Sequence, residues 1–286
     1  MEPLTAHLVL APDASIDLQL HTTCSDGVWT PEELVDYLVR EQFDLVAVTD
    51  HDCVDSVAHI QQLAAQKNLP VLAAVEMSTS WQGNLVDVLC YGFDPEHNVL
   101  LELAEPVVRR QRENTQEMYA QLLHNGFAFP RQQELLAKNG GEPRQPMDLV
   151  LLLQEHGYLA DEGAAEKILD DAGFRWITTD IAAVVDAAHQ SRAVCLIAHP
   201  GRGGGFPCFD PPLLDQLRSE VPIDGLEVYH PDHSLQQVEM YLNYVQTHQL
   251  LQSTGSDSHG HAKQMPIKYR AEISRRLLER VEIHVK

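Results

Sequence analysis

The sequence predicts an α/β fold: a seven-stranded (β/α) barrel, TIM-like in its logic, interrupted by one helical insertion. Three observations predict it. Short apolar stretches alternate with amphipathic ones, the rhythm of strand, turn and crossover helix. Six of the seven predicted strands end in, or just past, an acidic or imidazole side chain, and the other carries Asp87 inside it. The alternation stops once, over 99–178, where only helical patterns occur, and then resumes.

The first predicted strand covers 16–21, and alternation sends Gln19 and His21 to the same side. Asp26-Gly27 turns the chain. Thr30 then reads as an N-cap, with Pro31 at the first helical position and Glu33 closing a capping box, for a helix over about 32–41. Strand 44–49 leads to Asp50-His51-Asp52 and a helix over 55–66, strand 71–75 leads to Glu76, and strand 85–91 holds Asp87. This reads as a parallel sheet with crossover helices. Helices are predicted at 102–125, 131–138, 148–156 and 164–171. After them come a helix over 180–189, strand 193–198 ending in His199-Pro200-Gly201-Arg202, and a loop over 203–212. Strand 225–229 ends in His230, a helix runs from Ser234 to about 248, and strand 250–254 leads into Gly255-Ser256-Asp257-Ser258-His259. A last helix is predicted near 271–280. The chain thus divides into a barrel of 1–98 and 179–286 and a cap-like helical insertion of 99–178.

With 286 residues there is length for a full core. Forty-two acidic against 20 basic residues give a net charge of −22, which argues against duplex nucleic acid and anionic membranes as partners. Five scattered cysteines without a CxxC pair read as reduced thiols, and no signal-peptide pattern or membrane-length apolar run occurs. A cytoplasmic protein is the expectation.

If the strand ends converge, they assemble His21, Asp26, His51, Glu76, Asp87, His199, Asp257 and His259. Imidazoles mixed with carboxylates suit Mn²⁺, Fe²⁺ or Zn²⁺ rather than a structural zinc–thiolate site. Glu76 has two oxygens and can bridge two ions, and Asp50 and Asp52 flank His51 as orienters.

These pieces resemble the PHP family (polymerase and histidinol phosphatase), and within it the stand-alone metal-dependent phosphoesterases acting on nucleotides and RNA 5′ ends. The resemblance is carried by Asp17-Leu18-x-x-His21-x-x-x-Ser25-Asp26-Gly27, Thr49-Asp50-His51-Asp52, Val75-Glu76-x-Ser78, Ala198-His199-Pro200-Gly201-Arg202, Glu227-Val228-Tyr229-His230-Pro231 and Gly255-Ser256-Asp257-x-His259, in the family's order. It implies a PHP-type barrel with two to three divalent ions, Mn²⁺ foremost and Fe²⁺ or Zn²⁺ as alternatives. One ion would use Gln19, His21, Glu76 and Asp257, a second Glu76, Asp87 and His199, and a third Asp26, His51 and His259. A metal-bound hydroxide would attack the phosphorus of a small phosphorylated substrate. His51, Asp257 and His259 would be catalytic, and Arg202, Arg144 and His230 would bind substrate. Gln19 and Asp87 stand where the family has histidines, and of its Arg-x-His-x-x-Arg pattern only Arg144 is present. These departures motivate a second reading, a divergent protein that binds metal or a phosphorylated ligand with little turnover. A third is a metal-dependent amidohydrolase. The remaining alternative, a structural or interaction protein, leaves the ligand-type strand ends without a reason.

Overall fold

The computed structural model describes residues 3–160, 163–203, 206–260 and 264–286. The described strands are Val9–Leu10 (β1), Ser15–Asp17 (β2), Leu45–Ala47 (β3), Val71–Leu72 (β4), Ala74–Trp81 (β5), Asn84–Tyr91 (β6), Thr179–Asp180 (β7), Val194–Ile197 (β8), Gly225–Tyr229 (β9), Leu251–Thr254 (β10), Tyr269–Arg270 (β11) and His284–Val285 (β12). The helices are Pro31–Arg40 (α1), Val57–Ala65 (α2), Leu100–His124 (α3), Gln132–Leu135 (α4), Pro146–Glu155 (α5), Ala164–Asp171 (α6), Ile181–Gln190 (α7), Pro211–Glu220 (α8), Leu235–Thr247 (α9) and Arg275–Arg280 (α10).

The chain forms two compact units, 1–104 with 178–286, and 105–177. In the first, the strands order as β10-β9-β8-β6-β5-β7 in one sheet and β11-β2-β3-β4 in another, with β1 and β12 paired separately. These sheets are mixed, which corrects the all-parallel expectation: β6 runs antiparallel to both β5 and β8. The reason is a two-residue turn at Gln82-Gly83, with φ of 51° and 81°, the left-handed pair a tight hairpin needs. Glu76 therefore lies inside a strand, not at its end. The described ladders do not close into one barrel. Single parallel bridges join the two larger sheets, Leu20 just past β2 to Ser258 just past β10, and His51 just past β3 to Glu76 within β5.

Alternation explains the packing. Val75, Met77, Val88, Cys90, Cys195 and Ile197 face one apolar cluster together with residues of α7, α8 and α9. Their neighbours Ala74, Leu89, Tyr91, Val194 and Leu196 face a second cluster with Ile16, Leu45 and Ala47. A strand buried on both faces reads as a continuous apolar run, as β8 does with Val194-Cys195-Leu196-Ile197.

Several helix starts follow their local signals. Thr30 Oγ1 accepts from Glu33 N at 3.2 Å while Thr30 N donates to Glu33 Oε2 at 2.9 Å. Asp180 caps α7 and Ser234 caps α9. Helix α8 begins inside the region read as loop: Asp210 caps it from Leu213 N, and Pro211 sits in its first turn. The helix expected over 131–138 is instead α4 and a separate 3₁₀ turn, Ala137–Asn139. The second unit, by itself, is helical, with a small core of Met118, Leu122, Leu149, Leu152, Leu153 and Leu169.

Candidate metal centre

The centre is built where the first unit's chain leaves its strands. Asp50 shapes the turn after Gln19 and His21. Its carboxylate accepts from Thr22 N at 2.6 Å, Thr22 Oγ1 at 2.7 Å and Ser25 Oγ at 2.7 Å. Asp17 accepts from Ser256 N and Ile267 N, each at 2.9 Å, and so ties the first strand to the approach to Asp257. Gly255 permits close passage there: a Cβ would lie 2.4 Å from Gln19 Cβ and 2.5 Å from Glu227 Oε1. Three residues in or beside this centre have left-handed backbones, Asp52 (φ 54°), whose carboxylate accepts from Ser78 N at 3.1 Å, His199 (φ 30°) and Asp257 (φ 51°). For non-glycine residues that costs about 1–3 kcal/mol each.

Imidazoles and carboxylates then meet directly. His21 Nε2 lies 3.1 Å from Glu76 Oε2 and 3.0 Å from Asp257 Oδ1. His199 Nε2 lies 3.0 Å from Glu76 Oε1 and 3.8 Å from Asp87 Oδ2. His259 Nε2 is 3.2 Å, and His51 Nε2 4.0 Å, from Asp26 Oδ2. The His21 ring stacks on His259, with centroids 4.3 Å apart. Gln19 Nε2 donates to Glu76 Oε2 at 2.9 Å. Arg202 Nη1 and His230 Nε2 each come 3.5 Å from Asp257 Oδ2.

Ligand atoms cluster within 4.8 Å in three overlapping groups: His21, Asp26, His51 and His259; His21, Glu76 and Asp257; and His51, Glu76 and Asp87. Thus His51 joins Glu76 and Asp87 in the group where His199 was expected, although His199 reaches both carboxylates.

The charges are strongly coupled. Burial disfavours the Asp26 carboxylate, but His259 and His51 outweigh it and hold its pKa far below the usual range. Glu76 and Asp257 are likewise held well below it against burial, Glu76 by His51 and His199, and Asp257 by His21 and His230. His51 is lifted to about 9 because Glu76 and Asp26 overcome its burial. Burial, reinforced by Glu76, raises Asp87 to about 8. Burial, reinforced by the Asp257 and Glu76 charges, raises Glu227 to about 8, and burial raises Asp17 to about 7 against its hydrogen bonds.

Do these residues fit a divalent ion? Among the described residues, buried His21 Nδ1 and Nε2, His51 Nδ1, His199 Nδ1 and Gln19 Oε1 make no hydrogen bond. His21 is close to two carboxylates yet not aligned to bond either. Buried lone pairs and anionic oxygens left facing one another, all nitrogen or oxygen, are the donor set for Mn²⁺, Fe²⁺ or Zn²⁺. They fit.

Arg144 lies in the second unit, where its backbone amide donates to Asp148 Oδ2 at 2.7 Å. Two positioning residues escaped the sequence reading. Glu227 accepts from His199 N at 2.9 Å, and His233 Nε2 accepts from Gly201 N at 3.1 Å. Glu227 stood in a quoted motif, so an acidic residue at an odd strand position was the available signal. His233 gave none.

No family model matches the chain. It is 28% identical to a 3′,5′-nucleoside bisphosphate phosphatase of Chromobacterium violaceum, over 88% of this chain and 93% of that protein. It is 27% identical to the 5′-3′ exoribonuclease Rnm of Escherichia coli, over 85% and 84%. In structure it is similar to a Chromobacterium violaceum protein described as an amidohydrolase, solved with sulfate and without metal. The TM-score is 0.77 at 25% identity, over 94% and 97% of the two chains. A Bifidobacterium adolescentis structure assigned to the metal-dependent phosphoesterases has the same fold, with a TM-score of 0.74 at 23% identity, over 95% and 98%. The sequence relatives bear out the resemblance read from the motifs.

Proposed function

We propose that the chain is a metal-dependent phosphoesterase that hydrolyses a phosphomonoester of a nucleotide or of a short oligonucleotide end. One observation carries this: a buried ring of imidazoles and carboxylates in direct contact, in which nitrogens of His21, His51 and His199 make no hydrogen bond, with Arg202 beside Asp257. The named sequence relatives, a bisphosphate phosphatase and an exoribonuclease, hydrolyse phosphoesters.

Gln19, His21, Asp26, His51, Glu76, Asp87, His199, Asp257 and His259 would hold two to three ions, with Mn²⁺ as the first candidate. Bound divalent ions polarise a phosphoryl oxygen and bring a water's pKa near neutrality. The chain's own part is orientation and charge. Arg202, in reach of Asp257, offers its guanidinium fork to phosphate oxygens. His230 accepts from Asp232 N at Nδ1, which leaves Nε2 as the proton-bearing atom beside Asp257. From there it can hydrogen-bond a phosphate or leaving oxygen. Asp50 and Asp17 hold the turns that aim the ligands. Arg144 is a further candidate phosphate contact.

We also read the two larger sheets, bridged at both seams, as a distorted seven-stranded barrel of PHP type, with 99–178 as the insertion. The charge of −22 favours small substrates over duplexes. A cytoplasmic setting goes with the free cysteines, and no described helix is long and apolar enough to cross a membrane.

The test is metal content per chain by plasma mass spectrometry, followed by a panel of nucleoside monophosphates, 3′,5′-bisphosphates and 5′-phosphorylated short oligonucleotides. Two to three equivalents with turnover of one class supports the proposal. A fully loaded protein that releases no phosphate or nucleotide from any of them overturns it. The weak-turnover reading is favoured by Gln19 Nε2 occupying Glu76 Oε2, and Gln19→His raising metal content and activity together would support it.

A further inference from the structure

A second cluster lies at the other end of strand β8 from His199. Asp224, just ahead of β9, receives Cys195 N at 2.8 Å on Oδ2, and His189 Nε2 meets the same oxygen at 2.9 Å. The ligand atoms of His189, Cys195 and Asp224 lie within 4.8 Å of one another. Four residues of strand separate Cys195 from His199, about 13 Å at the usual rise. The cluster is therefore no extension of the centre described above.

We propose that His189, Cys195 and Asp224 form a separate site for a thiophilic divalent cation of the Zn²⁺ class. Imidazole, thiolate and carboxylate are zinc's three protein ligand types, and three of them leave a fourth position open. Tetrahedral zinc holds such ligands about 3.2–3.8 Å apart. Ligand atoms within 4.8 Å of one another are at most about 1–2 Å from such an arrangement, and the ring of His189, at the surface, is free to adjust. His189 is in the last turn of α7, where the helix dipole favours a cation. Cys195 Sγ also lies 3.8 Å from Cys90 Sγ in the apolar layer, so the thiol is held in place from behind. The contact with Cys90, and then burial, keep Cys195 protonated in the free protein, so binding releases a proton and tightens as pH rises.

Co²⁺ is the probe, because the larger centre offers no sulfur. Reduced full-length protein, with its thiols counted, is titrated with Co²⁺ and followed by near-ultraviolet absorption. We expect a thiolate-to-cobalt charge-transfer band saturating at one equivalent. It should be lost in His189→Ala and in Cys195→Ser, and kept in Cys24→Ser and Cys53→Ser. His189→Ala should bind one Zn²⁺ fewer per chain with phosphoester hydrolysis unchanged. No band in the reduced protein, or a band that survives His189→Ala, overturns the proposal. His189 is at the surface, so that variant decides even if Cys195→Ser fails to fold.

Discussion

Two buried carboxylates, one in each unit, are solved in opposite ways. Asp148, in the first turn of α5, accepts from Arg144 N at 2.7 Å, Gln145 N at 3.2 Å and Asn139 Nδ2 at 2.8 Å. Its charge is met by neutral donors and by the start of a helix. Glu76, fully buried, has one neutral donor, Gln19, and is otherwise faced by imidazoles and by Asp87. Asp148 is complete as it stands. Glu76 is instead held ionised by imidazoles that are themselves shared with other carboxylates, an arrangement a divalent cation can take over. Burial alone does not mark a functional acid; what surrounds its oxygens does.

That contrast can be broken most directly at Glu76. Glu76→Ala should remove bound metal and lower phosphoester turnover by about 10³-fold or more, roughly 4 kcal/mol of transition-state stabilisation. Mass spectrometry and the substrate panel read both effects. Full metal content in this variant would mean that Glu76 is an ordinary buried acid.

Asp148→Ala should do the reverse, costing about 1–3 kcal/mol in denaturant melts through three stranded donors. Metal content should stay as in the parent. A fall in metal content would erase the distinction drawn here.

The metal-free protein sharpens the comparison through pH. A group whose folded pKa is raised holds its proton more tightly when folded, so its stabilisation is full below its unfolded pKa and lost as pH rises through the folded one. For His51 that window runs from 6.5 to about 9. Asp87 and Glu227, each raised to about 8, act in the same direction from lower pH. Stability of metal-free protein should therefore fall between pH 6.5 and 9, less steeply in Asp87→Asn, and divalent ions should restore it. Thermal melts across this range that show no slope would contradict the assignment.

The smallest effects concern substrate. Arg202→Ala should raise KM about tenfold with metal content unchanged, and Arg144→Ala should raise it only a few-fold. Steady-state kinetics that rank them the other way would move the phosphate contact to the second unit.

Much of this was legible in the sequence, and the failures are instructive. Local chemistry was readable wherever neighbours in sequence decide the outcome. The Thr30-Pro31-Glu32-Glu33 start and the helix starts near 180 and 234 all fall in that class. Strand direction was not read correctly between Glu76 and Leu85, although about a dozen residues are needed for a parallel crossover and Gln82-Gly83 offered a tight turn. Asp210-Pro211-Pro212 carries the start signal of α8, a cap followed by proline, but sits at the end of a stretch whose glycines and prolines read as loop. The grouping of His51 with Glu76 and Asp87 depends on how two sheets meet at one bridge, and no sequence spacing encodes that.

The left-handed backbones at Asp52, His199 and Asp257 set the protein's thermostability against its chemistry. At each of them glycine would relax the main chain while deleting a side chain the ring uses. A variant library sorted by heat resistance alone would drift toward glycine at these places and discard the centre one member at a time. Engineering this scaffold therefore calls for sorting on both properties at once.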